Sequence, residues 1–213
     1  LRRAVTPRTR LLILNTPHNP AGAILGADDV RELAALVAGT RLCIVSDEVY
    51  EHIIFDGAQH ESVARHPELP ARSFIVGSFG KTYHTTGWKI GYAVAPAALT
   101  AEFRKVHQFV TFSTNTPMQH AIADFLGTRR GLSELAPFFQ AKRDLFLGLM
   151  KGSLFKPLAC RGSYFQLMDY SAITDEPDVA FAQRLVTEHG VAAIPISPFT
   201  QATGSTPPVL RFC

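Results

Sequence analysis

The chain has 213 residues, 46% of them hydrophobic and 18% charged, with a formal net charge of +3. That composition suits a buried core, and the scattered Lys and Arg residues form no stripe of the kind that grips nucleic acid. No apolar run approaches a membrane span, residues 1–10 (LRRAVTPRTR) lack a signal-peptide core, and Cys43, Cys160 and Cys213 lie far apart outside any CxxC pair, so a cytoplasmic protein with free thiols is expected.

The apolar run 11–14 predicts a short buried strand leading into the loop NTPHNPAG, residues 15–22. Val30, Leu33, Ala34 and Val37 recur at helical spacing and predict a helix over 27–37 packed on a sheet. A second strand, 42–45, runs into SDEVY (46–50). Strands at 73–78 (SFIVGS) and 90–95 (IGYAVA) then bracket the glycine-bearing loop that carries Lys81. A helix is expected over 96–111, and Thr116-Pro117 opens another that stops at Gly127. A long helix over 133–151, bent near Pro137, leads to a strand at 163–170, a helix at 178–189 stopped by Gly190, and a strand at 191–196. The pattern is α/β without repeats, divided into residues 1–132 and 133–213, the second part being a linking helix and a partial small α+β unit.

Asn19, Asp47, Tyr50, Ser78 and Lys81 all fall just beyond the C-terminal ends of short buried strands, the edge at which open α/β sheets bind ligands. Ser78 precedes Lys81 by three residues and Lys89 follows it by eight; a hydroxyl and a second ammonium near a lysine suit a phosphate. An amine so placed forms Schiff bases with carbonyl compounds, pyridoxal phosphate among them. Singly, each residue has a plainer reading: a Gly-Lys pair suits a solvated turn, Asp47 a helix cap, Asn19 a loop. His52, His84, His107 and His120 show no metal-ligand spacing, so no metal is expected, and Trp88 reads as packing.

The motifs NTPHNPAG, SDEVYEHI, SFGKTYHTTGWKIGY and VLRFC, in this order, resemble those of the class I/II, fold type I pyridoxal-phosphate-dependent aminotransferases, and most closely the methionine and kynurenine branch. The resemblance runs from about residue 11 to residue 213. It implies a fold type I large domain, a mainly parallel sheet with helices on both faces, here incomplete, plus part of a small α+β C-terminal domain. It implies that Lys81 holds pyridoxal 5′-phosphate and shuttles the substrate's Cα proton, and that Asp47 pairs with the pyridine nitrogen. Asn19 and Tyr50 would donate to the cofactor's 3′ oxygen, and Ser78 and Lys89 would anchor its phosphate. Lys89 replaces an arginine of the aspartate aminotransferases, exchanging a bidentate fork for a point charge. Arg211, in VLRFC, would grip the substrate's α-carboxylate, with Asn19 beside it. In relatives the peptide bond before the position of Pro20 is often cis.

The same resemblance implies a homodimer, and amino-acid and 2-oxo-acid substrates. Where the aspartate enzymes carry an arginine for an acidic side chain, this chain reads Phe109-Val110-Thr111-Phe112 before Asn115, so methionine, aromatic or kynurenine-like donors are expected. The chain reads as a fragment, lacking the family's N-terminal part and last helix, and by itself it is expected to show little transaminase activity. A carbon–sulfur β-lyase on the same fold, a non-catalytic sensing domain of a transcription regulator, and an inert truncation remain alternatives at this point.

Overall fold

A computed structural model describes residues 1–128, 132–200 and 207–213. Leu11–Asn15 (β1), Cys43–Asp47 (β2) and Ser73–Ser78 (β3) are parallel neighbours. The short helix Phe79–Thr82 (α2) follows β3, and Gly91–Val94 (β4) returns antiparallel beside it, giving the order β1-β2-β3-β4. In the register, Asn15 stands opposite Asp47 and Asp47 opposite Val76, so the three parallel strands end nearly level. Burial alternates from Leu42 to Tyr50, which sends Ile44, Ser46 and Glu48 to one face and Asp47 to the other.

Ala27–Val37 (α1) occupies the predicted residues and lays Val30, Leu33, Ala34 and Val37 on the first face, against Leu42, Ile44, Val63 and Leu69. Its first turn is held by Asp29, which accepts the Gly26 N–H at 2.8 Å. Its last turn is closed from a distance, because Arg72 Nη1 donates to the carbonyls of Val37 and Thr40 at 2.9 and 3.0 Å, satisfying groups that a helix end leaves unpaired. On the opposite face Ala97–Val110 (α3) meets β3 through Phe103 and Phe74, with ring centroids 6.1 Å apart. β1, expected as a buried strand, is the edge strand of this sheet and has no buried residue, Leu11 and Ile13 on that face being 47% and 68% exposed. Thr116–Gly127 (α4) spans the predicted residues with Pro117 in its first turn, and Asn115 caps it, its Oδ1 accepting the Met118 N–H.

Leu132–Leu149 (α5) contains Pro137. Its Leu135 and Phe139 pack with Tyr50, Ile53, Phe55 and Phe165, and its Arg143 forks onto both carboxylate oxygens of Asp56 at 2.7 Å while donating to the Cys160 carbonyl at 3.1 Å. The second sheet is antiparallel throughout: Lys156–Pro157 (β5), Gln166–Asp169 (β6), Ile194–Pro195 (β7) and Val209–Phe212 (β8), in the order β5-β6-β8-β7. Asp178–His189 (α6) buries Phe181, Ala182 and Leu185 against Tyr170 and Leu210, and stops where expected at Gly190, φ 67°.

The strands expected at 163–170 and 191–196 are shorter than predicted. Ser163 has φ 65° and turns the chain, its N–H bonding to the Ile53 carbonyl, so pairing starts only at Gln166. Past Gly190, the Val191 N–H bonds back to the Leu185 carbonyl and completes the helix cap, delaying β7 to Ile194. The brief β5 and α2 were not expected, since two- and four-residue elements leave no periodicity to read. Among the described residues no helix is long and apolar enough to cross a membrane.

Chemical denaturation of the 213-residue chain should separate the two sheet faces. Ile44→Ala, at a fully buried site, should cost about 2–5 kcal/mol, whereas Ile13→Ala, at an exposed one, should stay within about 0.5 kcal/mol of the parent.

Candidate active site

Three loops leave the level ends of β1, β2 and β3 and fold toward one another. Asn15, the last residue of β1, ties two of them: its Nδ2 donates to the Asp47 carbonyl at 3.3 Å and its Oδ1 accepts the Asn19 N–H at 2.8 Å. Both Thr16-Pro17 and Asn19-Pro20 are cis. The loop closes through His18, whose carbonyl accepts the Gly22 N–H at 2.8 Å. Gly22 has φ 64°, and a Cβ there would lie 2.6 Å from Cys160 Sγ, so only glycine lets this loop reach the segment before β6.

At the end of β3, Ser78 Oγ accepts the Gly80 N–H at 3.1 Å and starts α2. A Cβ on Gly80 would stand 2.9 Å from Thr86 Cα, so its absence lets the chain double back. There the Thr85 N–H and the Thr86 hydroxyl both donate to the Gly80 carbonyl, at 3.0 and 3.1 Å. This compact loop holds Lys81 over the sheet edge. The result is a cavity of about 400 Å³ lined by Asn15, Asn19, Asp47, Tyr50, Ser78 and Lys81, with Val49 and Val76 as apolar walls.

Asp47 reaches the cavity from the face of β2 opposite α1, its Oδ1 also accepting the Val49 N–H at 3.2 Å. Tyr50 is buried, with its ring edge-on to Tyr164 at 5.3 Å. Burial first, then the hydrogen bond and charge of Tyr164 and the charge of Asp47, push its phenol well above the usual range, with Arg211 opposing. The hydroxyl therefore stays protonated and able to donate.

Arg211 enters from β8. Its Nη1 donates to Asn19 Oδ1 at 2.7 Å, its guanidinium lies over the Phe165 ring at 4.1 Å, and its Nε is buried without a partner. Because Arg211 holds the amide oxygen of Asn19, the NH₂ of Asn19 is left to donate elsewhere. Residues 192 apart in sequence thus meet at one point.

Lys89 stands apart from the others. It is exposed, in the left-handed region at φ 58° after the turn Thr86–Trp88, and it does not line the cavity with Ser78. Lys81 also borders a second, more apolar cavity of about 330 Å³, walled by Phe55, Phe139, Tyr164 and Phe212. Three residues bearing on the site were missed in the sequence: Asn15, Tyr164 and Phe165. Asn15 carried a readable signal, as a polar residue directly after an apolar run, the same placement as Asp47. Tyr164 and Phe165 carried none, since they arrive through the second sheet.

Behind β2, Glu48, Glu51 and His60 place one potential ligand atom each within 4.8 Å of one another. Hydrogen-bond donors engage these groups: Glu48 accepts from Ser46 and His60, and Glu51 accepts from the Tyr92 hydroxyl at 2.8 Å.

The aminotransferase class I and II family matches this chain over residues 1–213. Methionine aminotransferase of Escherichia coli is 50% identical over 196 residues, 92% of this chain and 51% of that protein. A kynurenine–oxoglutarate transaminase of Dictyostelium discoideum is 36% identical, over 93% of this chain and 51% of its own length. A crystal structure from E. coli, described as having a methionine aminotransferase function, superposes with a TM-score of 0.95 at 47% identity, covering all of this chain and 56% of that one. N-succinyldiaminopimelate aminotransferase from Mycobacterium tuberculosis follows at 0.94 and 36%, over 99% of this chain and 55% of its own. The chain therefore spans about half the length of the relatives it matches. With the motifs in order, the fold reproduced along the whole chain and half of the 196 aligned residues shared with one relative, this chain belongs to the class I and II aminotransferase family.

Proposed function

We propose that this chain is the part of a pyridoxal-phosphate-dependent aminotransferase that carries the cofactor-linking lysine, moving an amino group from an L-amino acid to a 2-oxo acid. The observation that carries this reading is the convergence of Lys81, Asp47, Tyr50, Asn19 and Ser78 on one cavity at the sheet edge. The donor set fits the group: a carboxylate, two hydroxyls, an amide with a free NH₂ and a lysine surround the space, and Arg211, bonded to Asn19 at its edge, adds a guanidinium suited to an anionic ligand. Residues 1–132 act as the carboxyl-terminal portion of the cofactor domain, and 133–213 as the linking helix and part of the small domain.

Pyridoxal 5′-phosphate, when bound, supplies a protonated ring that accepts the electron pair released at the substrate's Cα. Asp47 would pair with the ring nitrogen, where its negative charge favours the protonated state. Tyr50 and Asn19 would donate to the 3′ oxygen, Tyr50 through a hydroxyl that burial keeps protonated. Ser78 would hold the phosphate from within the cavity, with Lys89, exposed at the far end of the same loop, as the second proposed anchor. Lys81 would hold the cofactor through Nζ and move the proton off and onto Cα. Arg211 binds the α-carboxylate through a planar fork, with Phe165 beneath it fixing the plane of the guanidinium.

The donor is methionine, an aromatic amino acid or a kynurenine-like compound. Relatives named for methionine and kynurenine support this reading, as does the apolar Phe109-Val110-Thr111-Phe112 at the end of α3. Phe109 is 85% exposed, which suits contact with a second subunit in a homodimer.

In the complete gene product loaded with pyridoxal phosphate, borohydride reduction and peptide mass spectrometry should place the label on Lys81, and label on another lysine would reject the assignment. Asp47→Ala should keep the cofactor yet lose at least ~10²-fold in kcat, measured by consumption of a 2-oxo acid with methionine as donor. Arg211→Lys should raise KM for every amino-acid substrate alike, because the α-carboxylate is common to all; loss confined to one substrate would mean that Arg211 reads side chains.

A further inference from the structure

The reaction as proposed makes no use of Glu48, although it is one of the few acidic side chains in the interior. Its side chain is 2% exposed, and that of His60, against which it lies, is 11% exposed. The carboxylate is well satisfied. Oε1 accepts the Ser46 hydroxyl at 2.8 Å and the Val63 N–H at 3.2 Å, and Oε2 accepts His60 Nε2 at 2.7 Å. Burial alone would raise its pKa, but the hydrogen bonds it accepts, that of His60 foremost, outweigh it and hold the group below the usual carboxylate value. An ionised carboxylate with three donors is a rigid fixture in a low-dielectric interior.

Where this fixture sits gives it a consequence. Ser46 and Glu48 face the α1 side of the sheet and Asp47, between them, faces the cavity. Glu48 therefore binds the end of β2 from behind to the segment 60–63, while its own N–H bonds to the Val76 carbonyl and its carbonyl accepts the Glu51 N–H. Asn15 Nδ2 and the Thr16 N–H hold the Asp47 carbonyl from the β1 side, at 3.3 and 3.0 Å. The turn that presents Asp47 and Tyr50 is thus held laterally by both flanking strands, and from behind by one carboxylate and one imidazole.

We propose that Glu48 and His60 are positioning residues for the cofactor site, acting through the β2 end to fix the carboxylate of Asp47 and the phenol of Tyr50 against the cofactor ring. The inference rests on the functional reading above and adds two residues that touch neither cofactor nor substrate. Fixing the orientation of groups that tune a cofactor is the usual work of a supporting hydrogen-bond layer.

The test uses the complete gene product with pyridoxal phosphate as the probe. The readouts are the cofactor Kd, the pH at which the visible absorbance of the bound cofactor titrates, and the melting temperature of the cofactor-free protein. Glu48→Gln should raise Kd about 10-fold and displace the titration, because an amide cannot accept three donors. His60→Gln, whose amide nitrogen can replace Nε2 as donor, should stay near the parent on both readouts, and His60→Leu should shift both in the direction of Glu48→Gln. If Glu48→Gln does not fold, the His60 pair decides. An unchanged Kd and titration in Glu48→Gln or, failing that, in His60→Leu would overturn the inference, as would losses confined to the melting temperature. A parent protein that does not link the cofactor to Lys81 would overturn the functional reading, and with it the positioning role, a result distinct from unaltered variants of a cofactor-binding parent.

Discussion

The in-register parallel pairing of β1, β2 and β3 is the constraint on which the site depends. Because Asn15 lies opposite Asp47, and Asp47 opposite Val76, the three strands release their loops at the same level and from one edge. Slipping β2 by one residue would turn Asp47 toward α1 and Ile44 away from the core it shares with Val30 and Leu33. Burial of Ile44 and presentation of Asp47 are therefore two outcomes of one register. The hydrophobic driving force on the α1 face sets the position of a carboxylate on the other.

Beyond the strands, the site is shaped by backbone rather than by large side chains. Gly22 and Gly80 allow two close approaches that any Cβ would block, one bringing the first loop to Cys160 and the other folding the lysine loop onto Thr86. Asn15 joins the first and second loops with both ends of its amide. Lys81 is thereby held by a loop whose hydrogen bonds are mostly internal. Such a loop can keep an amine at a cavity wall without burying the rest of the lysine stem.

The second sheet contributes from the side. Arg211 stands on β8, paired with Ile194 and Leu167, and reaches Asn19 in the first loop. Its plane is set by Phe165, and the same aromatic group packs Tyr164 against Tyr50. Any displacement of the second sheet relative to the first would change the Arg211–Asn19 contact and the surroundings of Tyr50 together. The Arg143–Asp56 fork and the packing of Leu135 fix α5 between the two sheets, so the contacts that hold the site also hold the sheets in place.

Much of this was legible in the chain itself. The helix over 27–37 and the cores of the strands before Asn15, SDEVY and Lys81 follow from periodicity and apolar runs, because a buried face imposes its period on the sequence. The family, and with it the expected roles of Lys81, Asp47, Tyr50, Asn19, Ser78 and Arg211, follow from four ordered motifs. Only the tertiary structure could decide the rest. The exposure of Lys89, the partnership of Arg211 with Asn19, the aromatic support from Tyr164 and Phe165, and the anchoring of β2 by Glu48 and His60 all depend on where distant segments are brought. A local pattern records which face of its own element is buried. It carries no record of the distant residue that will lie against that face, because that contact is chosen by the packing of the whole chain.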